Sequence, residues 1–590
     1  MKNTVSVTLL ILLLTSMLTL ALNIQPAEAD APTIYINVDG SITPVGAPIV
    51  TSDNITYTFS GNISYPTYSG VVVERSNVVI NGNGYTVQGY ISTTELYDLT
   101  TGLNLTETSD VTIENTNIKD FYYGIYLDSS SNNTVSGNNV TTNNEGILLA
   151  NSSTNNVISG NEATANNYDG IYLDEASNNT VSDDNATTNN VGIFLYQSPD
   201  NVLFRNVIED NKYSFGVVGD FMNLVDTSNL VNGKPVYYMI SKSNLVIDPE
   251  SYPNIGYLAL VNCTNMTVQG LTFTGNGHGI LLALTNDSRI TNNNLTNDFD
   301  GIYLDEASNN TVSGNNATAN SYGIQLVESS GNTVGDNIVT ENYDGFDLEE
   351  SSSNIVSGND AAANNYAGIY LVSSSKNIIY HNSFNGNVVE ASVDSASVGN
   401  VWDDGYPSGG NYWSDYNGTD LYGGPYQNLT GSDGIGDTPY TIDVNNTDYF
   451  PLMGMFSSFS TLTGYPVNII SNSTISGFAA PIWLEHPEIV TLTFNVTGAN
   501  GSTGFCRVSF PTAMMNGTYD VTVNGTEVPY ILLPCSNANS SYLYFTYKHS
   551  TEQVIILPEF PSFLILALFM VTTLLIIMNC KKTKLQRLKF

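Results

Sequence analysis

Three times the sequence sets an aromatic ring and a carboxylate two residues apart in one frame: Tyr126 with Asp128, Tyr172 with Asp174, and Tyr303 with Asp305. The last two pairs lie in "DGIYLDEASNNTVS", which begins at Asp169 and recurs letter for letter at Asp300. Phe194 takes the tyrosine's place in the related stretch "GIFLYQS". Aromatic faces stack on sugar rings and carboxylates accept hydrogen bonds from hydroxyls, so these seven residues form a candidate carbohydrate-binding set. Carboxylates could also do acid–base chemistry, but enzymes that cleave uronate polymers need a basic partner. Between Gly102 and Gly216 the only basic residues are Lys119, Arg205 and Lys212, and between Gly279 and Gly368 only Arg289. None falls in the repeated frame, and His278, His381, His486 and His549 are scattered. No catalytic residue is therefore assigned, and an enzyme is the rival reading.

What positions the set is a repeat. Glycines followed by an apolar-x-apolar triplet fall at Gly102, Gly124, Gly146, Gly170, Gly192 and Gly216, then at Gly256, Gly279, Gly301, Gly323, Gly345 and Gly368. The spacing is about 22 to 24 residues except for one step of about 40, which reads as an insert within 217–255 built on an Asn232-Gly233 hairpin. Each unit also carries an "NNTVSGN"-like stretch, so it holds short strands separated by Asn, Ser and Gly corners. The spacing predicts an all-β, right-handed parallel β-helix of about 12 to 13 coils over residues 70–398. Corner residues Asn138, Asn161, Asp184 and Asn206, and again Asn315, Asn337, Asn359 and Asn382, are expected to stack as an internal ladder. Alternation turns Ile and Leu of "GIYL" inward and Tyr outward. The outward acids then stand on every second coil, about 9.6 Å apart, at the edge of the inverting-glycosidase range.

The repeats, with "GIYLDEASNNTVSGN" and "NGKPVYY" as their clearest pieces, resemble the β-helix family of NosD-like periplasmic proteins and of carbohydrate-binding and sugar-hydrolase (CASH) domains. The block from "GNVWDDGYPSGGNYWSDYNG" to "DYFPLM" is similar to the closing segment of archaeal NosD-like surface proteins. "PEFPSF", an apolar run and a basic tail are similar to a PEF-CTERM sorting signal, which implies processing to a lipid anchor. NosD-like relatives imply copper. Copper wants convergent His, Met or Cys, and Met222, Met239 and Met266 are scattered, which argues against it here. Calcium is the expected cofactor if there is one, on Asp433, Asp437 and Asp443 of the Gly-rich "GSDGIGDTPYTID".

The remaining organisation follows from composition. Residues 1–31 read as a signal peptide, 32–69 as a lead-in and 399–455 as a cap in which Trp402, Trp413 and Tyr416 cover the last coil. Residues 456–557 read as an immunoglobulin-like sandwich, with a hairpin at Asn524-Gly525 and with Cys506 and Cys535 either paired as a disulfide or left as two thiols. Residues 560–579 read as a transmembrane helix, the simpler alternative to a sorting anchor, and 580–590 as a basic cytoplasmic tail, which by the positive-inside rule leaves the rest of the chain outside the cell membrane. Sequons such as Asn139, Asn185, Asn294, Asn417 and Asn524 fit an exported glycoprotein. The 16 Lys and Arg against 55 Asp and Glu give a net charge of −39, which repels nucleic acid. The partners expected are envelope glycans or surface-layer components, and the membrane through the anchor. A non-catalytic surface protein is the preferred reading; a lyase, hydrolase or epimerase, and a copper-binding accessory protein, are the alternatives.

Overall fold

The computed structural model describes residues 32–64, 68–90, 99–483 and 486–558. The segments read above as a signal peptide, an apolar anchor and a basic tail lie outside the described residues. Every regular element among them is a strand, and no helix is long and apolar enough to cross a membrane. The strands wind into a β-solenoid of about 15 turns, more than the glycine spacing alone suggests. The chain divides into two compact units, one reaching to Asn310 with Ala317–Gln325, the other comprising Thr311–Asn316 and everything from Leu326 on.

In the first unit, strands Tyr123–Asp128, Glu145–Ala150, Asp169–Asp174, Val191–Tyr196 and Tyr213–Val218 lie side by side in a parallel sheet. Shorter strands of the same turns build two further parallel sheets, through Thr134–Ser136 and through Asn139–Thr141. Alternation explains the burial: Ile125, Ile147, Ile171 and Ile193 point inward in register and are fully buried, while the residues between them face out. Each such aliphatic side chain contributes roughly 1.5–3 kcal/mol on burial. The glycine before each triplet is required by close approach, since a Cβ on Gly146 would come within 2.4 Å of the Gly170 carbonyl.

The corner residues form the expected ladder. Asn138 Nδ2 donates to Asn161 Oδ1 at 3.0 Å, Asn161 Nδ2 to Asp184 Oδ1 at 2.9 Å, and Asn206 Nδ2 to Asn229 Oδ1 at 2.8 Å. Asp184 interrupts it. Its Oδ2, where an asparagine carries a donor, is buried without a partner, and burial lifts its pKa to about 7.

The insert is more than an insertion into one shaft. Asn232 and Gly233, both at positive φ, turn Leu230–Val231 back antiparallel onto Lys234–Ile240. Strands Tyr257–Val261, His278–Ala283 and Asp300–Asp305 then follow parallel to Lys234–Ile240. Register shows what the reversal does. Val231 pairs with the inward Ile208 and with Lys234, so Val236 and Tyr238 share the inner face of the first coil stack. The inward residues of the second stack, Ile302 and Ile280, align with Leu258 and Tyr237, on the other face. The interior thus changes sides of one sheet at the hairpin. The outward residues of the second stack face the open end of the first, where Tyr257 meets Phe215 edge-on at 5.0 Å between ring centroids. A single shaft with both copies of the repeat on one face, as the period suggests, does not form.

The second unit continues with coils of the same kind. Their ladder runs Asn315–Asn337–Asn359–Asn382–Asn411, with amide bonds of 2.8–3.0 Å. Trp413 stacks on Phe384 of a coil and on Tyr440, and donates its indole N–H to Asp448; Trp402 is buried beside it. Beyond the cap, two five-stranded antiparallel sheets enclose one core that includes Val467, Phe494, Val508, Val521, Leu543 and Ile556. The disulfide does not form: Cys506 and Cys535 are both free thiols. Cys506 pairs in register with core-facing Phe545, whereas the next residue, Arg507, points the opposite way to the Asp433 and Pro407 carbonyls. Cys535 lies near Tyr406 on that opposite side of the sheet.

Candidate functional site

Of the seven residues singled out as a binding set, the structure brings five together. Tyr126, Tyr172 and Phe194 occupy one outward column of the first stack, with Leu148 between the tyrosines. Asp128 and Asp174 occupy a parallel column with Ala150 between them. The five are half-buried, and Leu148 and Ala150 are buried. The rings pack among themselves, Tyr123 on Tyr126 at 5.0 Å and Tyr172 on Phe194 at 5.5 Å, so the face presents ring edges, hydroxyls and carboxyls. Burial and the Asp128 charge push the Tyr126 phenol up to about 12.

A third column was missed in the sequence, although it stands at a fixed place immediately before each repeat glycine. Here Tyr123, Glu145, Asp169 and Val191 follow on successive coils. Glu145 and Asp169 are therefore neighbours, about 4.8 Å apart by coil spacing. Burial, then the charges of Asp169 and Asp174, lift Glu145 to about 8, and burial alone lifts Asp169 to about 7. Glu145 Oε2 is buried with no partner. Two neighbouring carboxyls that titrate near neutrality can donate as well as accept hydrogen bonds.

The other two residues of the set are placed elsewhere. Tyr303 and Asp305 lie on the second stack, where the face is turned inward, and are 4% and 8% exposed. The Tyr303 hydroxyl donates to Asp305 at 2.7 Å, and its ring stacks on His278. No polymer reaches them there. Of the sequons, Asn417 and Asn524 are exposed, and Asn139, Asn185 and Asn294 are half-buried on short strands.

The proposed calcium ligands do not converge. Asp433 receives the Ile435 amide and faces the Arg507 guanidinium at 3.5 Å. Asp437 accepts from Leu421, Tyr422 and Thr419, and Asp443 from Asn445 and Asn446. Asp443 closes its own turn, Asp437 ties its loop to residues 419–422, and Asp433 faces the Arg507 guanidinium. Among the described residues no three or more His, Cys, Asp or Glu gather to hold a metal.

Copper fares no better on donor chemistry. His278 has both ring nitrogens engaged, His381 faces Ser408, and His549 lies between Ser473 and Ser502. Cys263 donates its thiol to the Met239 carbonyl inside the coil. These three histidines and Cys263 are engaged inside the fold, and among the described residues no convergent set of His and Cys donors fits copper.

The model of the family described as "Periplasmic copper-binding protein (NosD)" matches residues 49–244 and again 222–418. The two matches overlap on the segment that holds the reversing hairpin. No curated protein matches the chain. Among solved structures it is similar to the periplasmic alginate epimerase AlgG at 13% identity and TM-score 0.24, covering 61% of this chain and 83% of that one. The Dettilon tailspike protein is matched at 13% identity and TM-score 0.20, covering 82% and 87%. An exopolygalacturonase from Thermotoga maritima is matched at 13% and 0.25, covering 45% and 71%. Likenesses this distant carry no argument about substrate.

Proposed function

For a chain that belongs to the NosD family, with a β-helix as its body, we propose a surface protein whose first coil stack binds uncharged envelope glycan without altering it. The observation that carries this reading is the open face of Tyr126, Tyr172 and Phe194 flanked by Asp128, Asp174, Glu145 and Asp169. Ring edges and carboxyls side by side suit a polyhydroxylated ligand. The net charge of −39 disfavours uronate polymers. Calcium is not part of the reading; the apolar anchor is, as the means of holding the coils at the outer face of the membrane, with the sandwich as a spacer.

Binding to a panel of neutral and acidic polysaccharides tests it. Tyr172→Ala should weaken the best neutral ligand about tenfold, the loss of roughly 1.4 kcal/mol. An unchanged affinity would end the proposal. Glu145 and Asp169 ionise as pH rises from 6 to 9, so any residual binding of acidic polymers should fall over that range.

One observation favours a second reading, glycoside hydrolysis. Glu145 and Asp169 stand side by side on adjacent coils with carboxyls raised to about 8 and about 7, and retaining enzymes also work with a neighbouring pair of carboxyls of which one is kept protonated. New reducing ends released by the protein but not by Asp169→Asn would establish it.

A further inference from the structure

The junction between the two coil stacks holds one titratable pair for which the proposed glycan face has no use. His278 opens strand His278–Ala283 and is aligned with Asp300 on the next coil. Its Nδ1 lies 2.8 Å from Asp300 Oδ2, and its Nε2 lies 3.0 Å from the main-chain oxygen of Val217, on the last long strand of the first stack. Both side chains are 2–3% exposed. A carbonyl oxygen can only accept, so Nε2 carries a hydrogen. Nδ1 and Oδ2 then need one further proton between them, held either by the imidazolium or by the carboxylic acid. Without it two acceptors face each other at 2.8 Å where water does not reach. The ring could recover the Asp300 bond only by moving its hydrogen to Nδ1, and would thereby lose Val217.

We propose that His278 and Asp300 are a proton-held latch between the two stacks, closed while the shared proton is present and released when it is lost. The inference rests on the junction alone and does not depend on the glycan reading. The groups around the pair reinforce it. Tyr303 stacks on the imidazole at 4.8 Å and donates to Asp305. Asp298 and Tyr257 lie near Asp300. The strand from the first stack brings Tyr213, whose ring meets Phe299, and the Lys212 ammonium lies over Tyr213. Burial and neighbouring acids both favour keeping the proton, and Asp300 is shifted upward by burial. A group held protonated in the folded state gives its stability at low pH and withdraws it as pH rises. The latch therefore opens on the alkaline side. Gly277, one residue before His278, packs on Gly216, whose neighbour in the outward column is Phe194, so release loosens the end of the aromatic column.

Amide hydrogen exchange of residues 213–218 and 278–283 between pH 6 and 9.5, divided by the chemical exchange rate, reads the latch directly. Wild-type protein should exchange at least tenfold faster at the alkaline end. Asp300→Asn supplies a permanent N–H to Nδ1 and leaves Nε2 on Val217, so its corrected exchange should be flat. A wild-type profile that is itself flat, or one that Asp300→Asn reproduces, overturns the proposal. The wild-type measurement decides even if the variant does not fold.

Discussion

The same six residues, Asp-Gly-Ile-Tyr-Leu-Asp, occur at Asp169–Asp174 and at Asp300–Asp305 and fold into the same strand, yet they live in different surroundings. In the first copy Asp169, Tyr172 and Asp174 are half-buried on an open face; in the second all six residues are buried. Ile and Leu point into the coil in both. What differs is what lies over the outward side, and that is decided by the chain reversal at Asn232-Gly233. A β-strand has two faces, and a hairpin that shifts the interior from one to the other converts a surface into a contact without changing a letter. Chemistry read from a repeat unit therefore holds only for the copy whose outer face stays open.

This contrast can be broken by substitution. The largest difference is expected between identical changes at the two tyrosines. Tyr303→Ala removes a buried ring and should cost about 3–5 kcal/mol. Tyr172→Ala, half-exposed, should cost about 1 kcal/mol or less. Denaturant midpoints of the two variants check this, and equal losses would mean that the faces are equivalent.

The ladders sharpen the comparison next, because each stack has an aspartate at an asparagine place. Asp184 takes the second oxygen where Nδ2 belongs, as does Asp298 beside Asn276, and neither oxygen has a partner. The Asp184 carboxyl is raised to about 7, so the folded protein holds a proton that the unfolded chain releases near pH 4. Stability is therefore lost as pH rises through that window. Asp184→Asn should add on the order of 2–4 kcal/mol at pH 8 and nothing at pH 3. Thermal unfolding at the two pH values measures it. The smallest effect is expected at the turn: Gly233→Ala, at φ 74°, should cost about 1 kcal/mol in the same assay.

Much of this was legible beforehand. The period, the inward Ile and Leu columns, the Asn ladder and the Asn232-Gly233 hairpin follow from spacing and from the few residues that tolerate left-handed corners. The change of interior left a trace that alternation alone did not interpret. In Tyr257–Val261 and His278–Ala283 the outward positions Tyr257, Ala259, Val261, Leu281 and Ala283 carry no acid on two successive coils, whereas in the first stack the apolar Leu148 and Ala150 of one coil alternate with coils bearing Asp128 and Asp174. The Glu145–Asp169 pair escaped because it precedes the glycine that marked the frame. His278–Asp300 escaped because the partners sit one coil apart, a distance visible only after folding. The disulfide and the calcium set failed for a common reason. Proximity in sequence says nothing about which side of a sheet or turn a side chain takes, and Cys506 with Asp433, Asp437 and Asp443 each has other partners.

Hydroxyl-radical footprinting of the intact protein tests the change of interior most directly. The two copies give distinguishable peptides, since Tyr168 precedes one and Phe299 the other. Oxidation at Tyr172 should exceed that at Tyr303 by at least tenfold in the native state, with the difference vanishing on unfolding. Equal native rates would place both tyrosines on open faces and contradict the reversal.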